Sequence, residues 1–120
     1  MAEIIWTEPS LNDLDDIADY IALDKPNAAS RFVGKVFDSI DRLADHPLSG
    51  KQVEELPDSP YREIVVPPCR IFYRPDKNAV YILHVMRGER LLLNFLLEER
   101  NQNRKNFQPT HPSGWRKRRR

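Results

Sequence analysis

Arg62, Arg70, Arg74, Arg87, Arg90 and His84 are the side chains of this 120-residue sequence best suited to chemistry on a phosphate. Each guanidinium is a planar fork that matches phosphate or carboxylate oxygens, and strand alternation would set Arg70 and Arg74 on one face. Cleaving RNA through its 2′-hydroxyl needs more than cations: a base, and a proton donor for the leaving oxygen. His84 is the only histidine in a strand-like run, and its place on one face with Ile82 and Met86 reads as structural. Nothing else in the domain titrates near neutrality without a large shift. The set therefore suits binding better than transformation, and no catalytic residue is assigned. Lys51, Arg62, Arg74, Arg87 and Arg90 are the candidates for contacting a target. Arg87 and Arg90 lead, because they flank Gly88 in a corner after a strand. Arg70 stays open between that surface and an internal bridge to a helix carboxylate.

The remaining polar inventory excludes several classes. Cys69 is the only cysteine, so no disulfide is expected. His46, His84 and His111 lie far apart and make no metal-ligand pattern, so neither metal nor cofactor is expected. No apolar run approaches the ~18 residues of a membrane span, and the acidic start does not resemble a signal peptide. A cytoplasmic protein is the expectation. Residues 1–60 hold thirteen acidic and five basic side chains, net −8, while residues 61–120 hold five and fourteen, net +9. Such polarity suggests a basic half that meets phosphate or an acidic partner. The final run Arg116-Lys117-Arg118-Arg119-Arg120 supplies part of it, yet the second half stays at +4 without those five.

These residues need elements to hold them. Residues 2–7 are β-branched and aromatic, as in a strand. Thr7 or Ser10 can cap a helix carrying the stripe Leu11, Leu14, Ile17, Ala18 and Ile21, with Pro9 in its first turn. Its acidic residues Asp13, Asp15, Asp16 and Asp19 suit the positive end of a helix dipole. After Asp24-Lys25-Pro26 a second stripe, Ala29, Phe32, Val33, Val36, Ile40, Leu43 and Ala44, runs to His46-Pro47. So short a join implies an antiparallel helical hairpin. Residues 48–60 read as a loop, followed by strands at 61–66, 70–74 and 79–86 in an antiparallel meander. The fold expected is α+β: a strand, the hairpin packed on one face of a small antiparallel sheet (β-α-α-β-β-β), then a third helix over residues 90–105. Of Phe72 and Tyr73, one should enter the core and the other lie outside, and Trp6 and Tyr20 should be core or rim. Residues 1–97 form the domain, 98–106 finish the helix, and 107–120 lack the composition for a core and are expected to be disordered.

Several stretches together resemble the RelE/ParE toxin superfamily of bacterial type II toxin–antitoxin, or plasmid stabilisation, pairs. They are Trp6-Thr7-Glu8-Pro9, the helix Asp13 to Ile21, Ala28-Ala29-Ser30-Arg31-Phe32, Leu43 to Lys51, Tyr61-Arg62-Glu63-Ile64, Arg70-Ile71-Phe72-Tyr73-Arg74, and Ile82 to Arg90. The resemblance spans roughly residues 3–97 and rests on order and spacing. It implies one of two activities: RelE-like members cleave messenger RNA on the ribosome, and ParE-like members poison DNA gyrase by binding. The long hairpin, the Pro-Leu-Ser-Gly-Lys passage and the Arg-Ile-Phe-Tyr-Arg strand lean to ParE. Departures are Arg87 where histidine is common in the run after the last strand, Cys69 where tyrosine is common, and Asn94 about where RelE-like nucleases place tyrosine. The last argues against an efficient ribonuclease.

The resemblance thus implies a gyrase-binding toxin in a hetero-oligomer with a cognate antitoxin. The alternatives are a ribosome-dependent endonuclease, or a degenerate, non-toxic partner-binding module. The leucine-rich segment 91–97 must dock on the core or on a partner; it, or a groove beside the hairpin, would leave apolar surface for an antitoxin to cover. Leu92, Phe95 and Leu96 are the candidates for that contact.

Overall fold

The computed structural model describes residues 1–88, 92 and 94–104, with the side chains of Asn94 and Phe95 excepted. Arg90, the side chain of Phe95 and the basic tail lie outside the described residues.

Strand β1 (Glu3–Trp6) leads into α1 (Glu8–Asp24). Of the two candidate caps the chain uses Thr7, whose Oγ1 accepts from the Ser10 amide at 3.4 Å while Ser10 Oγ donates back to the Thr7 carbonyl at 2.7 Å. Lys25 alone joins α1 to α2 (Pro26–Asp41), and a 3₁₀ turn (Arg42–Ala44) ends the hairpin. Both helices bury most of the stripes their periodicity marks, Leu11, Leu14, Ile17 and Ala18 from α1 and Ala29, Phe32, Val33, Val36 and Ile40 from α2, while Ile21 is partly buried and Phe37 joins the buried face.

Then follow β2 (Lys51–Gln52), β3 (Arg62–Val66), β4 (Cys69–Asp76), β5 (Ala79–Arg87) and α3 (Asn94–Gln102). The α+β class and the order of helices and main strands are as expected. Three features differ. The sheet is mixed, because β1 pairs in parallel with β5 in the order β1-β5-β4-β3-β2; a chain returning through two helices can align its first and last strands. The segment read as a loop contributes the two-residue edge strand β2. And both faces of the sheet are covered. Ile71, Tyr73, Val80, Ile82 and Val85 pack under the hairpin, whereas Phe72, Leu83 and Met86 pack with Val53, Tyr61, Leu92 and Leu97 in a second cluster. Phe72 and Tyr73 alternate faces, yet both are fully buried. Trp6 is core, at 1% exposure, while Tyr20 is 61% exposed.

At two of its described leucines the segment 91–97 is not open. Leu92 and Leu97 are 4% and 0% exposed, covered by the chain itself, and a fully buried leucine gains roughly 1.5–3 kcal/mol. Leu96 is partly exposed.

Candidate functional site: a cleft between the first helix and the last strand

Strand β1 stops at Trp6, opposite Ile82, but β5 continues to Arg87. A strand edge left without a neighbour must satisfy its amides and carbonyls some other way. Here α1 and α3 supply side chains for it. The Thr7 amide and Oγ1 both donate to the Ile82 carbonyl, at 3.1 and 2.7 Å. Asp13 Oδ2 accepts the Val85 amide at 3.1 Å, and Arg100 Nη1 donates to the Leu83 carbonyl at 2.9 Å. The same two side chains meet each other, with Arg100 Nη1 2.5 Å from Asp13 Oδ2, and His84 Nδ1 lies 2.8 Å from both. A register shift at Phe72/Tyr73, with Phe72 facing His84 and Tyr73 facing Ile82, leaves Leu83 as the extra residue of a bulge. The His84 ring stacks on Phe72 at 5.8 Å. Burial alone would raise the Asp13 carboxyl, but the hydrogen bonds from His84 and Arg100 outweigh it and hold the group below its ordinary value of 3.8.

Beside this cluster lies a cleft of about 660 Å³ between α1 and the end of β5, lined by Asp13, Asp16, Ile17, Tyr20, His84, Val85 and Arg87. The Arg87 guanidinium carbon sits 4.8 Å over the Tyr20 ring. A smaller depression of about 440 Å³ continues from it past Leu23, Asp24 and Pro68.

Among the described residues, the sequence-predicted cations do not converge on one surface. Arg62 reaches back into the loop before β2, with Nη1 donating to the carbonyls of Gly50 at 2.7 Å and Leu48 at 3.3 Å. Tyr73 pins the same loop, accepting the Gly50 amide at 2.9 Å and donating to the Pro47 carbonyl at 2.8 Å. A Cβ at position 50 would stand 2.5 Å from Tyr73 Oη, so only glycine fits under that ring. Arg70 does bridge carboxylates, though of a loop and of β3 and not of a helix: it forks onto both oxygens of Glu55 at 2.8 Å and bonds Glu63, which is 1% exposed, at 2.6 and 3.0 Å. Those hydrogen bonds raise the guanidinium above its ordinary value and hold Glu55 below its own. Lys51 is exposed on β2, in a depression with Glu54, Glu55 and Glu63, so its surroundings are acidic. Arg74 is partly buried on the α3 side of β4, and its Nε has no hydrogen-bond partner among the described residues. Only Arg87 of the described candidates lines the cleft beside α1. His84 is held in a polar cluster, in keeping with a structural role. Sequence reasoning missed Asp13, Tyr20 and Arg100 as parts of the site. Asp13, Asp16, Ile17 and Tyr20 do share one helix face by their spacing, which was the available signal. Among the described residues no group of three or more His, Cys, Asp or Glu could hold a metal, and no helix is long and apolar enough to cross a membrane.

Residues 4–92 match the family described as ParE toxin of type II toxin–antitoxin system, parDE. The chain belongs to the ParE toxin family. The match runs from β1 to Leu92 and stops short of α3. Toxin RelE2 of Caulobacter vibrioides is 36% identical over 92 residues, covering 76% of this chain and all of that protein. In solved structures, a chain of the chromosomal ParDE TA system from P. aeruginosa has the same fold, with a TM-score of 0.64 at 22% identity over 74% of this chain and 98% of that one. The loop pinned by Tyr73 and Arg62 and the cleft beside α1 thus lie within the matched segment, whereas α3 and its Arg100 latch lie past it.

Proposed function

We propose that this ParE-family toxin acts by binding DNA gyrase without chemical turnover and is neutralised by a cognate antitoxin in a hetero-oligomer. The composition of the cleft carries this reading. Asp13 and Asp16 stand beside Tyr20, Ile17 and Arg87. Two carboxylates oppose a phosphodiester, each by roughly 1–4 kcal/mol at contact distance between the water and near-surface limits. Aromatic, aliphatic and arginine side chains are instead the composition enriched where proteins meet. His84, the histidine a nuclease could recruit as base, has its Nδ1 in contact with Asp13 and Arg100.

The antitoxin is proposed to cover the α1 cleft and the partly exposed Leu96, with Phe95 as a further contact; Leu92 already packs inside the chain. Lys51, Arg62, Arg74 and Arg90 remain proposed target contacts, secondary to Arg87.

Purified protein at stoichiometric excess should block supercoiling by gyrase, and Arg87→Ala or Tyr20→Ala should relieve the block at unchanged stability. Unimpeded supercoiling together with cleavage of ribosome-bound message would transfer the assignment to a RelE-type endonuclease. That second reading draws on the name of the 36%-identical relative, Toxin RelE2, and requires Arg87→Ala or Arg90→Ala to abolish cleavage. Unrestrained growth on induction without antitoxin would point to a partner-binding module that has lost toxicity.

A further inference from the structure

The densest cationic run of the chain, Arg116 to Arg120, directly follows Trp115. The described surface carries its chemical complement. On α1, Asp16, Tyr20, Leu23 and Asp24 share one helix face by their spacing. All four are exposed, Leu23 to 85% and Tyr20 to 61%, an unusual degree for two large apolar side chains a turn apart. Between them and Pro68 lies the depression of about 440 Å³, floored by Ile17, Ile21 and Ala28, with room for an aromatic ring. The seat is apolar at its floor, with Asp24, Lys25 and Arg87 in its lining and Asp16 beside it on α1, and the tail is an aromatic anchor joined to guanidinium groups. Asp16 and Asp24 are the groups on this face that attract those guanidiniums and oppose a phosphate.

Reach permits it. Arg104, the last described residue, is pinned at one end of β5, 3.0 Å from Asp76 and 4.3 Å over the Tyr81 ring. Tyr20 stands at the other end, against Arg87. Tyr81 and Arg87 are separated by roughly 20 Å of strand. The eleven residues from Arg104 to Trp115 extend to roughly 36–40 Å. A tether of that length holds its end near the seat at an effective concentration on the order of millimolar.

We propose that Trp115–Arg120 docks on the α1 face of its own chain, with Trp115 in the depression beside Tyr20, Leu23 and Pro68 and the arginines against Asp16 and Asp24. The tail then occupies part of the surface beside the cleft when no partner is bound, and any protein binding there must displace it.

Acrylamide quenching of tryptophan emission in the full-length chain tests this. Trp6 is 1% exposed and gives a protected baseline, which Trp115→Phe measures separately. Raising salt from about 0.01 M to about 1 M shortens the screening length from ~30 to ~3 Å and should increase the Trp115 quenching constant at least about threefold. The double substitution Asp16→Lys/Asp24→Lys should do the same at low salt, and exposed positions of this kind leave folding intact, which circular dichroism checks. A Trp115 as open to quencher as in a peptide of residues 105–120, under all conditions, overturns the proposal. Protection that grows with protein concentration also overturns it, by placing the tail on a second copy. Protection that appears only with added duplex DNA and ignores the α1 substitutions overturns it in favour of a nucleic-acid contact. The isolated chain is the only protein in these measurements, so their outcome is separate from that of the gyrase assay.

Discussion

The two faces of the sheet are held by different physics. Under the hairpin, Leu14, Val36, Ile40, Leu43, Ile71 and Ile82 are all at or below 1% exposure, and the contact is apolar over four turns of helix. Under α3 the apolar cluster is smaller, and polar latches fix the helix: Tyr61 to Glu98 at 2.6 Å, Arg100 to Asp13, and Arg104 to Asp76. Apolar groups do not titrate, whereas each latch contains a carboxylate. One cover should therefore fail only when the domain unfolds, and the other should be separable from it.

The largest effect expected is on the hairpin side. Ile40→Ala should cost about 2–5 kcal/mol and unfold the whole domain cooperatively, read as one shifted midpoint in urea by fluorescence and circular dichroism. Leu97→Ala removes a side chain just as buried, but from the smaller cluster. Its loss should appear first as faster amide exchange confined to α3. Equal exchange changes on both faces would erase the distinction between them.

Next in size is the loop junction. Gly50→Ala forces a Cβ against Tyr73 Oη and the Glu63 carbonyl, 2.5 and 2.8 Å away, and overpacking of that kind costs about 1–3 kcal/mol. Tyr73→Phe takes away the hydroxyl that the Gly50 amide and Pro47 carbonyl share, at a cost of about 1–3 kcal/mol for the groups left unpaired. Together in one chain the two changes should cost less than their sum, because each disturbs the same contact.

Acid should act on the α3 side. Asp13 is held low by His84 and Arg100 against the opposing effect of burial, Asp76 chiefly by the Lys77 amide and then Arg104, and Glu98 by the Tyr61 hydroxyl and Gln102. Folded values below the ordinary 3.8 and 4.5 mean that their contribution is fully present above those values and is lost as pH falls through the lower, folded ones. The α3 resonances should thus shift and broaden below about pH 4, before those of α1 and α2. Asp13→Asn should bring the same loosening of α3 at neutral pH. Simultaneous acid loss of hairpin and α3 signals would refute it.

This division also explains what the sequence could show. The hairpin was legible because a 3.6-residue stripe registers burial on one face, and Leu11, Leu14, Ile17, Phe32, Val36 and Ile40 all obey it. The strands were legible from alternation and from Pro67-Pro68 and Asp76-Lys77 as breaks. The second face was not, because its cover joins residues far apart: Asp13 with Arg100, Tyr61 with Glu98, Asp76 with Arg104. No local pattern marks such pairs, and Asp13 looks like any acidic residue near a helix start. The same lack of partners left the cations unsorted. Arg62, placed toward a target by type alone, holds the loop before β2, and only coordinates could decide that Arg70 belongs to Glu63 and Glu55.

The smallest stability effect belongs to the surface proposed to matter most for function. Arg87 lies over an exposed tyrosine, and an exposed cation–π contact contributes about 0.5–1 kcal/mol. Arg87→Ala and Arg87→Lys, which keeps the charge but loses the planar stack, should both leave the domain folded and shift the urea midpoint far less than Ile40→Ala does. If the cleft engages a protein partner, Ala should weaken the complex far more than it weakens the fold, with Lys between, because buried arginines at an interface contribute through shape and charge together. Titrating the antitoxin against the three proteins measures both quantities in one series. Equal affinities across it would leave the cleft no more than a gap between α1 and β5, and the search for the partner surface would move to Leu96 and the α3 face.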